Sequence, residues 1–411
     1  MLYYGLVGKE LAHSFSKRIH SMLGDYFYDL FSVNEKDFDE LIRKKEFGGL
    51  NITIPYKQRI ISFCDFLSDN AHRVGSVNTV VNRNGKIYGY NTDYLGLNYM
   101  LDTNKISLSN KKVLILGSGG TSLTAKASAE DAGASKIIVV SRSGENNYKN
   151  IENHYDSDII INTTPVGMYP NNSQSPVKLS NFTNCSGVVD VIYNPLKSAL
   201  ILEAAKLNIP CCNGLLMLVA QAKYAAELFL DTDIEDNKIT EIYNVLVKDL
   251  SNIVLIGMPS CGKSSIGKNV ANSLHRQFID TDELVEKDAG MSIPEIFKKY
   301  GEAEFRKLEE IAVKNASAKN GVVIATGGGS ILSEENCDSL RQNGKIVFID
   351  RDLDLLSTKG RPLSKNHEAI KALHQQRIPL YEKCCDFKVL NNNSVKSCAQ
   401  EVIDRFEEEK V

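Results

Sequence analysis

Asn252-Ile253-Val254-Leu255-Ile256-Gly257-Met258-Pro259-Ser260-Cys261-Gly262-Lys263-Ser264 decides how this chain folds, and the rest can be read outward from it. Asn252–Ile256 is a short apolar run, and residues 257–264 meet GxxxxGK followed by Ser or Thr at every constrained position. A strand feeding such a loop makes a phosphate cradle. Gly257 and Gly262 let backbone N–H groups close on phosphate oxygens, with Ser260 and Ser265 beside them. Lys263 reaches the outer phosphates, and the Ser264 hydroxyl is placed to hold Mg2+. Gly-rich surface turns match this pattern by chance. Here an apolar run precedes the loop and a helix-compatible stretch, residues 265–274, follows it, which favours the nucleotide reading. The second part of the chain is therefore expected to bind ATP.

A chain of 411 residues exceeds one hydrophobic core, and its length predicts roughly two or three domains. A net charge of -3 argues against a nucleic-acid-binding surface, while leaving room for a local basic cleft that takes a small anion. Residues 2–7 already read as a strand and polar residues follow at once, so no signal peptide is expected. No apolar run reaches membrane-spanning length, and no membrane partner is expected. Nine cysteines, none in zinc-like CxxC spacing, read as free thiols of a reducing cytosol, which places the protein in the cytoplasm. The adjacent pairs Cys211-Cys212 and Cys384-Cys385 read as burial-compatible filler. Composition leaves monomer and dimer equally open.

In chain order, residues 1–7 and 50–54 are β-rich, with amphipathic helical stretches between them. Residues 77–81 and 86–90 flank Asn84-Gly85, whose tolerance of positive φ suits a hairpin turn. Residues 112–116 form a buried-type strand that runs into Gly117-Ser118-Gly119-Gly120; a helical stretch, 123–132, and a second strand, 136–140, follow. That order is the first βαβ unit of a dinucleotide fold. GxGG alone does not separate a cofactor loop from a plain turn, and the second strand is what decides. After that strand an acidic residue suits the ribose of NAD, whereas a basic one suits the 2′-phosphate of NADP. Arg142 stands there between Ser141 and Ser143, so NADP is expected, although an arginine at a strand end is also a common solvated residue. Further strands are expected at 158–162 and 187–191, and helices at 215–230 and 238–250, the last ending almost where the P-loop strand begins.

Several of these stretches together resemble shikimate dehydrogenase. Residues 8–21, Gly-Lys-Glu-Leu-Ala-His-Ser-Phe-Ser-Lys-Arg-Ile-His-Ser, resemble that family's substrate loop, in which two serines, here Ser14 and Ser16, bind the carboxylate. Asn51-Ile52-Thr53-Ile54-Pro55-Tyr56-Lys57 resembles its lysine motif. Residues 75–79 and Gly89-Tyr90-Asn91-Thr92-Asp93 resemble the segments that supply an amide, here Asn78, a threonine, Thr92, and the aspartate that pairs with the lysine, Asp93. Asn162-Thr163-Thr164-Pro165-Val166-Gly167-Met168 resembles the cofactor-side loop, which implies cofactor contacts for Thr163 and Met168 as well as for Gly117, Gly119 and Gly120. Residues 214–221 resemble the helix whose glutamine, Gln221, contacts substrate, with Gly214 on the cofactor side. The resemblance covers residues 1–250, and Lys17 departs from it, since the family usually has proline after the second serine.

The chemistry of the residues agrees. Reducing a ketone needs a hydride at carbon and a proton at oxygen. Lys57 can supply that proton or stabilise the developing alkoxide, and Asp93 can hold the lysine. As isolated residues, a Lys after a strand and an Asp at a helix start are far more often solvated. Set within these motifs, the catalytic reading is favoured. Ser14, Ser16, Asn51, Thr53, Asn78, Thr92 and Gln221 are the hydroxyl and amide types that orient a carboxylate and ring hydroxyls.

Residues 251–411 resemble shikimate kinase. Phe278-Ile279-Asp280-Thr281-Asp282 places two carboxylates just past a strand; the resemblance puts Asp280 near the metal and Asp282 on the substrate hydroxyls. Gly301-Glu302 with Phe305-Arg306 and Glu309 matches the family's helix, in which Arg306 would pair with the substrate carboxylate in a bidentate fork. Thr326-Gly327-Gly328-Gly329 ends a strand where backbone must approach a ligand closely, so Gly328 and Gly329 join the substrate set. Arg361-Pro362-Leu363 resembles the lid motif, with Arg361 catalytic, and residues 377–381 the helix carrying a second substrate arginine, Arg377. The lid departs from the family in lacking the arginine that usually stacks on adenine several residues earlier, where Lys359 is an imperfect substitute.

The expected architecture is α/β throughout. Residues 1–100 form a substrate domain to which helices at about 215–250 return, residues 101–214 a Rossmann-type NADP-binding domain, and residues 251–411 a P-loop domain of the nucleoside monophosphate kinase type. The resemblance implies two consecutive reactions, 3-dehydroshikimate to shikimate with NADPH and then shikimate to shikimate 3-phosphate with ATP and Mg2+. Oxidation of quinate by the first half stays open. A binding module without turnover would have lost Lys57, Asp93, Lys263 or Asp282, and all four are present.

Overall fold

The computed structural model describes residues 3–11, 14–356 and 367–408. The chain divides into two compact units, Met1–Asn194 with Ser198–Val245 and Pro195–Lys197 with Leu246–Val411. The boundary falls inside the helix Asn237–Leu250.

Two sheets build the first unit. Tyr3–Gly8 (β1), Tyr28–Ser32 (β2), Phe47–Ile52 (β3), Phe66–Leu67 (β4), Thr79–Arg83 (β5) and Lys86–Tyr90 (β6) form one sheet in the order β2-β1-β3-β5-β6-β4. β3 is buried along its whole length, as a central strand covered on both faces must be. It starts at Phe47 rather than at the expected residue 50, and it ends at Ile52 rather than at residue 54. β5 begins two residues later than the sequence suggests: Val77 donates its N–H to Lys57 O, outside the sheet, while Asn78 already reaches Tyr90 O at the end of β6. The β5–β6 turn has Asn84 at φ 54 and Gly85 at φ 78, the doubly left-handed turn that matches strand twist.

The other sheet is wholly parallel: Lys112–Leu116 (β7), Lys136–Val140 (β8), Ile159–Asn162 (β9), Gly187–Asp190 (β10) and Cys211–Cys212 (β11), in the order β11-β10-β9-β7-β8. Strand order reverses at β7, so the loop from Gly117 to Gly120 leaves the sheet where a ligand crevice opens. The helix Gly120–Asp131 starts three residues before the expected position, because extended Gly119 caps it directly. Cys211 and Cys212, read from sequence as filler, form the edge strand β11.

In the second unit Asn252–Ile256 (β12), Phe278–Asp280 (β13), Val323–Ala325 (β14), Gly344–Asp350 (β15) and Phe387–Leu390 (β16) form a parallel sheet in the order β13-β14-β12-β15-β16. Ile253, Val254, Leu255 and Ile256 have no exposed surface, each burial contributing about 1.5–3 kcal/mol. β12 is thus the central strand and the reversal point, and the P-loop leaves from its carboxyl end. Gly262, at φ 104, turns the loop straight into the helix Lys263–Ser273, two residues ahead of the expected start. Among the described residues, no helix is long and apolar enough to cross a membrane.

Candidate active sites

The first site grows from a helix cap. Asn91 accepts a hydrogen bond from Tyr94 N at 3.0 Å and donates to Ser76 O at 2.8 Å, which fixes the start of the helix Thr92–Thr103. Asp93 then lies in its first turn, where Lys57 Nζ donates to Asp93 Oδ2 at 2.5 Å. The two side chains are only 16% and 13% exposed, so the ammonium is held rather than free in solvent. Both line a cavity of about 920 Å3. Ser14, Ser16, Asn51, Thr53 and Asn78 line it from the substrate-domain side together with Gln221 of the returning helix Leu215–Leu230, and Met168 and Gly214 line it from the other. Ser14 Oγ donates to Ser16 Oγ at 3.1 Å, bringing the two hydroxyls together. Asn78 Nδ2 donates to Thr92 Oγ1 at 3.0 Å, Thr92 N donates back to Asn78 Oδ1 at 2.7 Å, and Thr92 Oγ1 reaches Gln221 Oε1 at 3.4 Å. Sequence-distant amides and hydroxyls are thereby gathered beside one lysine.

The dinucleotide loop faces the same lysine: a methyl on Gly120 would lie 3.7 Å from Lys57 Cδ. Gly117, at φ 112, has no room for a side chain, because a methyl there would lie 2.6 Å from Thr163 Oγ1. Gly119 has open space where a side chain would be. At the end of β8, Arg142 and Ser143 are exposed, whereas Ser141 Oγ accepts from Gly144 N at 2.9 Å and folds the loop around them.

In the second unit Lys263 is 8% exposed, and its ammonium donates to Gly257 O and Met258 O at 2.9 and 3.0 Å, curled into its own loop. Ser260 takes a positive φ of 66, Ser265 is exposed, and a methyl on Gly262 would lie 2.5 Å from Asn391 Nδ2. Ser264 Oγ donates to Asp280 Oδ2 at 2.6 Å, which pairs a hydroxyl with a carboxylate, the oxygen donors a hard cation takes. Asp280 Oδ1 accepts from Asp282 N at 3.0 Å and caps the helix Thr281–Ala289, placing Asp282 in its first turn.

Around the Gly327–Gly329 turn the remaining residues converge. A methyl on Gly327 would lie 2.6 Å from Asp282 Oδ1, one on Gly328 2.8 Å from Pro259 of the P-loop, and one on Gly329 2.5 Å from Arg306 Nη1. Arg306 donates to Glu309 at 2.7 Å and to Glu302 at 2.9 Å. Burial pulls its pKa down, and the two carboxylates outweigh that and raise it, so it is a fixed cation. Arg377 Nη1 donates to Gly328 O at 3.0 Å, while its Nε is buried without a partner.

Comparison with known proteins gives these sites a family. Residues 6–80 match the model of the shikimate dehydrogenase substrate binding domain, and residues 259–407 that of shikimate kinase. The NADP(+) shikimate dehydrogenase of Clostridium beijerinckii is 36% identical over 265 residues, covering 60% of this chain and 98% of that protein. The chain belongs to the shikimate dehydrogenase family. Among solved structures it is similar to shikimate dehydrogenase 1 of Peptoclostridium difficile, at 37% identity and TM-score 0.56, covering 60% of this chain and 98% of that one. A chorismate mutase/shikimate 5-dehydrogenase fusion protein from Clostridium acetobutylicum is 34% identical with TM-score 0.57, over 60% and 97% of the two chains. The Thermus thermophilus shikimate 5-dehydrogenase, solved in complex with NADP(H) and shikimate, is 25% identical with TM-score 0.55, over 59% and 98%. With the kinase match beyond it, the shikimate dehydrogenase part is one half of a fusion.

One feature of the shikimate dehydrogenase half has no signal in the sequence. Tyr28 Oη donates to Asn51 Oδ1 at 2.7 Å, and Asn51 Nδ2 donates to Thr79 Oγ1 at 3.0 Å, so this amide is oriented from both ends. Nothing local marks Tyr28 for that work. Lys17, which replaces the usual proline, donates to Asp29 Oδ1 at 2.8 Å on the surface, tying the serine loop to β2 in another way. In the kinase half Glu309 and Tyr381 also went unassigned; Tyr381 Oη donates to Gly328 O at 2.5 Å. Helical spacing could have found both, three residues after Arg306 and four after Arg377. Arg361 and Lys359 of the lid lie outside the described residues.

Proposed function

We propose that this chain reduces 3-dehydroshikimate to shikimate with NADPH and then phosphorylates the shikimate 3-hydroxyl with ATP. The Lys57–Asp93 pair on a cavity that also gathers Ser14, Ser16, Asn51, Asn78 and Gln221 carries the first reaction. Bound NADPH supplies the hydride. Lys57 gives a proton to the ketone oxygen, Asp93 holds the ammonium in place, and the two serines take the substrate carboxylate. Following phosphoryl-transfer chemistry, Lys263 with Arg361 neutralises charge on the outer phosphates, Ser264 and Asp280 hold Mg2+, and Asp282 positions the attacking hydroxyl. Arg306 exchanges its Glu302 partner for the substrate carboxylate, and Arg377 closes on the other side. The test is sequential: NADPH is consumed when 3-dehydroshikimate is added, and ADP appears when ATP follows. Absence of either step removes the corresponding half of the proposal.

Two predictions follow from the binding contacts. Arg142→Ala should lower the preference for NADPH over NADH about ten- to a hundredfold, the worth of one charge-assisted contact of about 1.5–3 kcal/mol. The ratio of kcat/KM for the two cofactors checks it, and an unchanged ratio shows that another group reads the 2′-phosphate. Gly329→Ala should cost some stability, because the methyl would lie 2.5 Å from Arg306 Nη1 and push the guanidinium away from buried Glu309. Displacing that guanidinium should raise KM for shikimate roughly ten- to a hundredfold. An unchanged KM would take Arg306 out of carboxylate binding.

A further inference from the structure

Asp190, at the carboxyl end of β10, has no exposed surface and no part in the chemistry above. Its Oδ1 accepts hydrogen bonds from Asn162 Nδ2 at 3.0 Å and Ile192 N at 3.1 Å, and its Oδ2 from Ser198 Oγ at 2.5 Å. All three partners are donors, and they come from three segments: the end of β9, the strap after β10, and the cap of the helix Ala199–Lys206. Only an acceptor with two oxygens serves them together, since an amide would turn N–H groups against one of them.

Each partner passes the constraint onward to the cleft. Asn162 Oδ1 accepts from Thr164 N at 3.0 Å and Thr164 Oγ1 at 2.7 Å, and Thr164 Oγ1 accepts from Val166 N at 3.2 Å. These bonds shape the turn that carries Met168 to the cavity wall. On the other side Ile192 O accepts from Gly214 N at 3.0 Å, and a methyl on Gly214 would lie 2.0 Å from Val191 O. The strap is thus pressed against the start of the helix Leu215–Leu230, which brings Met217 and Gln221 to the same cavity. Val191 and Tyr193 of the strap line it as well.

We propose that ionised Asp190 is a positioning residue that locks the 162–168 turn to the start of the Leu215–Leu230 helix and so sets the cofactor side of the reductase cleft. The inference rests on the reductase reading of that cleft. Burial pushes Asp190 up to about 6 against the pull of its three hydrogen bonds. The groups that face it are Asn162 from β9, Ser198 from the helix cap and the Cys212 thiol from β11, which burial raises to about 12 and keeps neutral. The sign follows: above about 6 the carboxylate is charged and accepts all three bonds, whereas below it a proton occupies one oxygen and the lock loosens.

The experiment uses the full chain with Asp190→Asn and Ser198→Ala, reading NADPH affinity by nucleotide fluorescence alongside KM for each substrate and kcat. Thermal unfolding and near-UV circular dichroism serve as the control for folding of the unit that holds Asp190, and kinase turnover on added shikimate shows that the other unit is intact. Asp190→Asn should weaken NADPH binding roughly three- to thirtyfold, the range of coupling through a contiguous network, with kinase turnover unchanged. Ser198→Ala removes one donor of three and should move the affinity the same way by less. NADPH loses charge on its own 2′-phosphate as pH drops from about 7.5 to about 5.5, so both chains should bind it less well in acid, and the parent should fall more steeply than Asp190→Asn because Asp190 titrates as well. Unchanged affinity in Asp190→Asn at about pH 7.5 overturns the proposal, as does an acid fall in it as steep as the parent's. If Asp190→Asn does not fold, unchanged affinity in Ser198→Ala overturns the proposal by itself. A parent chain that binds no NADPH would instead sink the reductase reading, a separate outcome.

Discussion

Lys57→Met should abolish nearly all reduction of 3-dehydroshikimate while phosphorylation of added shikimate continues at the parent rate. Methionine keeps the length and the apolar stem of lysine but has no proton to give, and general acid catalysis of this kind contributes about 10²–10⁴-fold. The loss should fall on kcat with KM little changed, because proton delivery is an interaction made in the transition state rather than on binding. Asp93, which Lys57 meets at 2.5 Å, then loses its partner, so the variant reports removal of the donor together with release of its holder. Asp93→Asn separates the two: it keeps the lysine and should give a smaller fall. Reductase turnover near the parent value in Lys57→Met would remove Lys57 from catalysis and leave the pair a structural salt bridge.

The second large effect is expected at the other site. Lys263→Met should reduce ADP formation by on the order of 10²–10³-fold, the cost of losing one preorganised charge at a developing phosphoryl transition state. In the structure the ammonium is curled onto Gly257 O and Met258 O, and it must leave those carbonyls to meet phosphate. The same variant should reduce 3-dehydroshikimate normally, because its reductase residues belong to the other compact unit. Full ADP production with added shikimate would show that the loop lysine is dispensable. A parallel loss of reductase activity would point to misfolding rather than chemistry.

Features whose physics is local are legible in the chain. A phosphate loop is a consecutive run of residues, so its glycines, Lys263 and Ser264 are legible without knowing what packs around them. The hairpin at Asn84-Gly85 and the strand β7 with its Gly117–Gly120 loop are legible for the same reason, since backbone sterics and apolar runs act over a few neighbours. Strand and helix ends fall two or three residues from where local patterns place them. β5 starts late because Val77 donates to the distant Lys57 O, outside the sheet, and the helix after β12 starts early because the adjacent Gly262 turns directly into it.

Which distant side chains meet depends on how the elements pack. Tyr28 stands 23 residues from the Asn51 it orients, Gln221 stands 129 residues from Thr92, and Tyr381 stands 53 residues from the carbonyl of Gly328. Asp190 read only as the end of a strand, yet three donors from separate segments converge on it. Such contacts leave no period or spacing in the chain. They arise because a buried polar atom must find a partner or lose the free energy of its lost water, and the closest partner is fixed by how the sheets and helices pack.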